Sequence, residues 1–275
     1  MALRNKPVKF ILLLLFSIVV ILNIGPFVWQ IVTSFKLDRD LNSLPPLLPP
    51  EITFDHYMNV FSSTFIRFIV NSGVVAISVT IVCLLLGSMA AYAIARLPIK
   101  GKGFVLGLFL ATSMFPQIAV VSPLYVLIRQ MGLYNTYLGL ILSYMLFCLP
   151  LCVWLLHGFF RDLPRGLEEA AAVDGCGIIR TYWQIALPLV MPGLVTAGLL
   201  VFIASWNEFL FALTLTNNVQ VQTIPVGIAL FPQMFYVPWG DLSAASVVVT
   251  LPLILLVVLF EGKLTKGLVG GAIKG

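Results

Sequence analysis

Six long, almost uncharged runs constrain this chain more than any other feature. They span residues 10–31, 69–95, 104–128, 137–160, 193–215 and 242–260, so each holds between 19 and 27 residues. A helix needs about 20 mostly apolar residues to cross the hydrocarbon core of a bilayer, and it satisfies its own backbone groups there. The apolar–polar alternation of barrel strands is absent. We therefore expect an all-α integral membrane protein with six transmembrane helices.

The charged residues predict how these helices are oriented. Only 10% of residues are charged, and the mean hydropathy is +1.05, which leaves no room for a soluble domain. Of the sixteen lysines and arginines, all but Lys36, Arg39, Arg67 and Arg129 fall on one side, and that side is cytoplasmic by the positive-inside rule. We expect a cytoplasmic N-terminus (1–9), one transmembrane domain (10–260) and a cytoplasmic C-terminal tail (261–275).

The first run resembles a secretory signal only superficially. It is longer than the 7 to 15 residues of a signal core and lacks a small-x-small cleavage site, so we predict an uncleaved first helix. The net charge of +5 follows from the positive-inside bias and implies no nucleic-acid partner. Both features favour a multi-pass membrane protein.

Signals for catalysis, metal binding and nucleotide binding are missing from the sequence. Neither Gly101-Lys102 nor Gly262-Lys263 has the upstream glycine and following Ser or Thr of a phosphate-binding loop. Cys148 and Cys152 share a helix face but have no His or acidic neighbour, which favours small buried side chains over a metal site. We expect no catalytic residue, no metal and no cofactor on this chain, so any ATP must be bound by another subunit.

The predicted cytosolic segment 161–192 is unusually polar for this chain. Glu168 and Glu169 follow Pro164, which suits the first turn of a helix, and Asp174-Gly175 is a turn signal. Beyond the turn, Ile178 begins a second helical pattern. A run of alanines between the glutamates and the turn would let another surface approach the backbone closely. From periodicity alone, a docking element and an ordinary interfacial amphipathic helix are equally good interpretations.

The same segment carries a recognisable motif. "EEAAAVDGC" followed by "IALPLVMP" resembles the EAA motif of permease subunits of binding-protein-dependent ABC importers, with Cys176 where alanine is usual. The stretches "NSGVVAISVT", "AAYAIARL", "WNEFLFAL" and "GLVGGAIKG" extend the resemblance along nearly the whole chain. They are similar to the carbohydrate branch, specifically the smaller permease of the maltose type.

The resemblance implies partners and a task. In such importers the permease works with a second related permease, two ATPase subunits that bind ATP and Mg²⁺, and an extracytoplasmic solute-binding protein. The expected function is translocation of a sugar or sugar-like solute, such as a di- or oligosaccharide or a glycosylated polyol. The near absence of charge in the last outer loop mildly favours a neutral solute.

The resemblance also implies roles for particular residues. The cytosolic segment would be a coupling helix that docks on an ATPase subunit, with Glu169 making a polar contact. The residues placed on this coupling site are Glu168, Glu169, Ala170, Ala171, Asp174 and Gly175. The glycine-rich C-terminus, through Gly270, Gly271 and Lys274, would also contact the ATPase pair.

Polar residues inside the apolar runs suggest a solute pathway. Glu208 lies in the fifth run, where an ionisable group is costly and so indicates function. With Trp206, Asn207 and, in the second run, Asn71, it is expected to line the path; the alternative is a structural hydrogen bond between helices. The prolines inside the runs, Pro116, Pro123, Pro150 and Pro252, indicate bending points or simple kinks.

Two other classes of protein are alternatives to an ATP-driven permease. An ion-gradient-driven carrier of a polar solute should show inverted repeats and paired intramembrane ion ligands. An intramembrane enzyme should show a His, Asp or Ser constellation in its spans. The sequence shows neither pattern.

Overall fold

The protein is helical throughout the part that can be described. The computed structural model describes residues 6–41, 48–62, 64–230 and 237–272, and these contain helices and turns without a strand. The helices are α1 (Lys6–Thr33), α2 (Asp38–Leu41), α3 (Asp55–Ser62), α4 (Phe65–Arg96), α5 (Lys102–Met114), α6 (Gln117–Gln130), α7 (Tyr137–Arg161), α8 (Gly166–Val173), α9 (Ile178–Thr181), α10 (Leu187–Leu189), α11 (Met191–Trp206), α12 (Leu210–Leu215), α13 (Ile224–Ala229) and α14 (Trp239–Ala272). The all-α prediction is confirmed.

Four helices are long and apolar enough to cross a membrane by themselves. They are Val8–Thr33, Phe65–Arg96, Tyr137–Arg161 and Trp239–Phe260. Two bent pairs raise the number to six if each pair counts as one span. The chain is therefore a multi-pass membrane protein, while the count of six spans and the cytoplasmic position of both termini stay predictions.

The third apolar run is not one continuous helix, contrary to expectation. α5 and α6 meet at an angle of 94°. The chain turns at Phe115, which has an extended ψ of 133°, and Pro116 precedes the first residue of α6. A residue before proline disfavours the helical region, which explains the break. The other intramembrane prolines, Pro123, Pro150 and Pro252, lie inside continuous helices.

The fifth run is also interrupted. α11 ends at Trp206, and α12 begins four residues later at Leu210. The Glu208 carboxylate accepts hydrogen bonds from the backbone N–H groups of Phe211 (2.9 Å) and Ala212 (3.1 Å). These N–H groups lie in the first turn of α12, where a helix has no backbone acceptor of its own for them, so the carboxylate caps the start of a new helix.

The chain also bends before α11. The segment Ile178–Leu189 meets α11 at an angle of 78°.

The chain divides into two compact units by its internal contacts. One consists of Met1–Ile66 and Ile228–Leu251, and the other of Arg67–Gly227 and Pro252–Gly275. In the larger unit, α7 packs against α5, α11 and α12. Glycines allow this packing: a Cβ on Gly193 of α11 would lie 2.5 Å from the ring of Phe159 in α7. Such small residues let helix backbones approach closely in membranes.

The smaller unit contains a buried polar centre beside α3. Both ring nitrogens of His56 are engaged, Nδ1 with the Asp241 carboxylate at 2.7 Å and Nε2 with the Lys36 carbonyl oxygen at 2.8 Å. The Lys36 ammonium lies 4.3 Å from the centre of the Trp29 ring.

Helix α1 leaves most of its large apolar side chains exposed, as expected of a helix that faces lipid or another subunit.

Candidate functional site

The turn after α8 has a specific backbone geometry. Gly175 has φ +76°, and its N–H bonds to the Ala172 carbonyl at 3.1 Å. The next N–H, that of Cys176, bonds to the Ala171 carbonyl at 2.8 Å. This pair of bonds with a left-handed glycine is the Schellman motif that closes many helices. The Asp174-Gly175 turn is therefore confirmed, and Cys176 contributes its backbone, which is the same for cysteine and alanine.

The six residues of the predicted coupling site do not all face the same way. Ala171 is buried within the chain, at 3% exposure, and Glu168 is turned toward α4. The other four, Glu169, Ala170, Asp174 and Gly175, are exposed. Within the chain, Ala171 is therefore covered, whereas Ala170 stays exposed.

Exposed apolar side chains surround the four outward residues. Val173, at the end of α8, is 89% exposed. In α9, Ile179 is 76% exposed and Ile178 is 60% exposed. We call Glu169, Ala170, Val173, Asp174, Gly175, Ile178 and Ile179 the docking surface. Clustered exposed apolar residues bordered by polar ones are typical of protein–protein contact sites.

Sequence periodicity predicted a second helix after the turn, beginning at Ile178. The structure contains it as α9, followed by one turn of π-helix over Tyr182–Ala186. Tyr182 is buried, whereas Ile178, four residues earlier, is 60% exposed. The apolar spacing of Ile178, Tyr182 and Ile185 predicted the helix but not the π-turn.

The proposed pathway residues are separated in the structure. Asn71 is buried and bonded to the segment after α12, and Asn207 is exposed and bonds back to the Ile203 carbonyl of its own helix. Trp206 is buried, stacks on Phe202 and lines an apolar groove of about 740 Å³. Glu208 lines a different cavity. The four residues thus do not form one site.

The cavity at Glu208 lies where the two broken runs meet. It has a volume of about 460 Å³. Phe115 and Gln117 flank the break between α5 and α6, and Ser205 and Glu208 flank the break between α11 and α12. Breaks in membrane helices often form solute sites because they bring polar groups into the bilayer.

The walls of this cavity combine aromatic and polar side chains. Aromatic rings come from Phe115, Tyr144, Phe147, Trp154 and Phe211, and Phe147 stacks on Phe211 at 5.5 Å. Polar groups come from Ser113, Gln117, Ser205 and Glu208. Of these lining residues the sequence predicted only Glu208. The others are of types common in membrane helices, and only the bends bring them together. Among the described lining residues there is one carboxylate and no Lys, Arg or His.

The C-terminal residues lie at the end of α14. This helix continues without a break past residue 260, and Gly270 and Gly271 belong to its last turn. Lys274 lies outside the described residues.

Comparison with known proteins identifies the family. The sequence profile of the family described as binding-protein-dependent transport system inner membrane component matches residues 83–266. The chain belongs to this family. As a member it is a membrane component of a transport system, and the predicted recognition is confirmed.

Individual relatives of this permease match over nearly its whole length. The trehalose/maltose transport system permease protein MalG of Thermococcus litoralis is 40% identical over 99% of both chains. The sulfoquinovosyl glycerol transport system permease protein SmoH of Agrobacterium fabrum is 38% identical over 98% of this permease and 95% of that protein.

A solved structure shares the fold of the permease. It is the crystal structure of a bacterial ABC transporter involved in the import of the acidic polysaccharide alginate, and its matching chain superposes with a TM-score of 0.82. The match covers 94% of this permease and 96% of that chain at 20% identity. At this identity the match supports the fold alone.

Proposed function

We propose that this permease is the membrane subunit of an ATP-driven importer for a sugar or sugar-like solute, such as a di- or oligosaccharide or a glycosylated polyol. The main observation in support of this proposal is the exposure of the docking surface. A chain that lacks a phosphate-binding loop presents, on its predicted cytosolic side, an exposed motif helix ringed by apolar side chains. This subunit is itself non-catalytic, and ATP and Mg²⁺ bind to partner ATPase subunits.

ATP binding would drive the membrane helices through a difference in how well the docking surface binds the two states of the ATPase pair. ATP binding can reorient the helices only if the docking surface fits the closed and open ATPase pair with different free energies. Glu169 offers a charge, Ala170 a close backbone approach and Val173 an apolar contact. The rigid Schellman turn at Gly175 fixes the angle between α8 and α9, so the surface moves as one piece.

The cavity at Glu208 is the proposed solute passage. Its mixture of aromatic rings and hydrogen-bonding groups suits a molecule with apolar faces and many hydroxyls. The single carboxylate, without a basic partner among the described lining residues, favours a neutral solute over an anionic one. Similarity to a trehalose/maltose permease supports the same class.

Further partners complete the importer. A second related permease would pair with this subunit, one of two ATPase subunits would bind at the docking surface, and an extracytoplasmic solute-binding protein would deliver the solute. The C-terminal residues Gly270, Gly271 and Lys274 would add a contact to the ATPase pair. The assembly belongs in a bacterial-type inner membrane.

Uptake by the complete complex in proteoliposomes tests the function. The expected result is accumulation of a radiolabelled sugar, from a panel including trehalose and maltose, that requires ATP and the solute-binding protein. Uptake that persists without ATP but collapses with the ion gradient would overturn the proposal and favour a secondary carrier.

A matched pair of variants tests the docking surface. Glu169→Arg should abolish ATP-driven uptake while binding of the loaded solute-binding protein stays normal. Asp162→Arg, at a half-exposed carboxylate next to the end of α7, should leave uptake unchanged. Equal uptake by both variants would count against docking through α8.

A further inference from the structure

Arg96, the last residue of α4, holds the start of the coupling segment. Its guanidinium donates to Glu168 Oε1 at 2.8 Å, to the Leu163 carbonyl at 2.9 Å and to the Pro164 carbonyl at 3.4 Å. The Arg96 side chain is only 5% exposed. A buried guanidinium that donates to three acceptors fixes both the distance and the orientation of the start of α8 relative to α4. A single flexible ion pair would not fix the orientation.

The second half of the coupling segment is attached to the same helix. The hydroxyls of Ser88 and Tyr182 are hydrogen-bonded at 2.7 Å in a buried position. The Tyr182 ring also lies 5.2 Å from the ring of Tyr92. Ser88, Tyr92 and Arg96 are four residues apart, so they lie along one face of α4. That face therefore contacts the segment both before and after the Gly175 turn.

The covalent connections of the coupling segment are less direct. On one side, α7 ends at Arg161 and the chain bends through Asp162–Arg165 before α8 starts. On the other side, the π-turn and a 78° bend at Val190 separate the segment from α11. The chain is thus bent on both sides of the coupling segment, whereas α4 runs for 32 residues with no internal proline.

The opposite end of α4 is fixed as well. Asn71 donates to the Val219 and Gln222 carbonyls at 3.2 and 2.8 Å, and the Ser72 hydroxyl accepts the Ile224 N–H at 2.9 Å. These bonds hold the segment between α12 and α13. About 36 Å of helix separates Ser72 from Arg96, at 1.5 Å per residue.

We propose that α4 carries the displacement of the docking surface to the outer segment 217–224, and that Arg96 is the positioning residue at its cytosolic end. This inference rests on the proposed docking of an ATPase subunit at α8. The coupling segment is covalently continuous with α7 and α11, so chain connectivity would assign the transmission of its displacement to those two helices. The inference assigns it to α4, which contacts the coupling segment only through side chains. Glu168 belongs to this transmission and not to the partner contact.

The test compares Arg96→Gln with Arg180→Gln in the complete complex with its ATPase subunits and solute-binding protein. Arg180 lies in the same segment but is exposed and bonds only to Gln184 among the interactions found for it. Arg96→Gln should assemble and keep basal ATPase activity, but lose at least about tenfold of the stimulation by loaded solute-binding protein. Arg180→Gln should keep full stimulation.

Hydrogen exchange provides a readout that a purely structural role would not change. In the unaltered complex, ATP with vanadate should alter amide exchange in segment 217–224. That response should vanish in Arg96→Gln and in Asn71→Ala, and the double variant should be no worse than either single one, because both break one path.

The outcomes separate this inference from the proposed function. If the unaltered complex shows no ATP-driven uptake, the proposed function fails. If it transports and Arg96→Gln keeps both stimulation and the exchange response, α4 is not the transmitting element. Arg96→Lys, which keeps the charge but loses the fork, should assemble even if Arg96→Gln does not; full stimulation in Arg96→Lys would also overturn the proposal.

Discussion

The Asn71 side-chain oxygen accepts a hydrogen bond of 2.7 Å from the hydroxyl of Tyr137. With its two N–H bonds to the Val219 and Gln222 carbonyls, this bond uses one acceptor and both donors of the amide. Asn71 is 1% exposed. It therefore ties α4 and α7 to the segment between α12 and α13.

Asn71→Ala should lower the free energy of unfolding by about 2 kcal/mol, since interhelical hydrogen bonds in membranes contribute roughly 0.6 kcal/mol each. Chemical unfolding in mixed micelles measures this loss. Asn207→Ala, at an exposed amide bonded to its own helix, should cost under about 0.5 kcal/mol. An equal loss in both variants would refute the structural role of Asn71.

Gly175→Ala should impair coupled transport, because a side chain at φ +76° costs about 1–2 kcal/mol and opens the turn of the docking surface. Gly175→Asn should retain more activity, since asparagine tolerates this conformation better. The measurement is ATP-driven uptake per ATP hydrolysed. Gly166→Ala is the control, because a Cβ there meets nothing within 4 Å, and it should transport normally.

Gly193→Ala should destabilise the packing of α11 on α7 by about 1–3 kcal/mol, the usual range for overpacking. The added methyl would lie 2.5 Å from the Phe159 ring. Gly107→Ala, in α5 with open space around it, should be neutral or slightly stabilising. Thermal unfolding measures both, and Phe159→Leu should restore part of the loss. No rescue would mean that the contact is not the cause.

Gln117→Ala should raise the half-saturation concentration for sugar uptake by several-fold, because one hydrogen bond to the solute contributes about 1 kcal/mol. Gln130→Ala, at the exposed far end of the same helix, should leave it unchanged. Initial rates over a range of sugar concentrations measure this. An unchanged half-saturation value in Gln117→Ala would exclude a contact with the solute.

His56→Ala should lower the free energy of unfolding by about 2–3 kcal/mol, since it removes the hydrogen-bond partner of a buried carbonyl and of a carboxylate. The Lys36 carbonyl only accepts hydrogen bonds, so Nε2 donates to it at 2.8 Å, and Nδ1 lies 2.7 Å from the Asp241 carboxylate. Met58→Ala, on an exposed face of the same helix, is the matched control. Comparable losses in the two variants would contradict this network.

Local sequence was informative wherever short-range chemistry decides the structure. Asp174-Gly175 predicted its turn because only glycine adopts φ +76° without strain. Pro116 marked a possible bend, and the structure breaks there by 94°. Pro150 carried the same signal and lies inside a continuous helix, because neighbouring packing decides whether a proline kinks or breaks a span.

Pairings between distant residues could not be predicted. His56 and Asp241 are 185 positions apart, and Arg96 and Glu168 are 72 apart. The interpretation of Glu208 as a pathway residue omitted its bonds to Phe211 and Ala212, which end one helix and start another. Such bonds depend on which helices pack together, and apolar periodicity does not encode that choice.

The sequence by itself determined that this chain is an all-α membrane protein of the permease family, because a hydrocarbon environment admits only long apolar helices and the motif is local. The tertiary structure decided which motif residues are exposed and which face α4. It also decided that two broken runs enclose one cavity lined by aromatic and polar side chains. Side-chain direction and helix packing are collective properties of many distant contacts, so they emerge only when the helices are assembled.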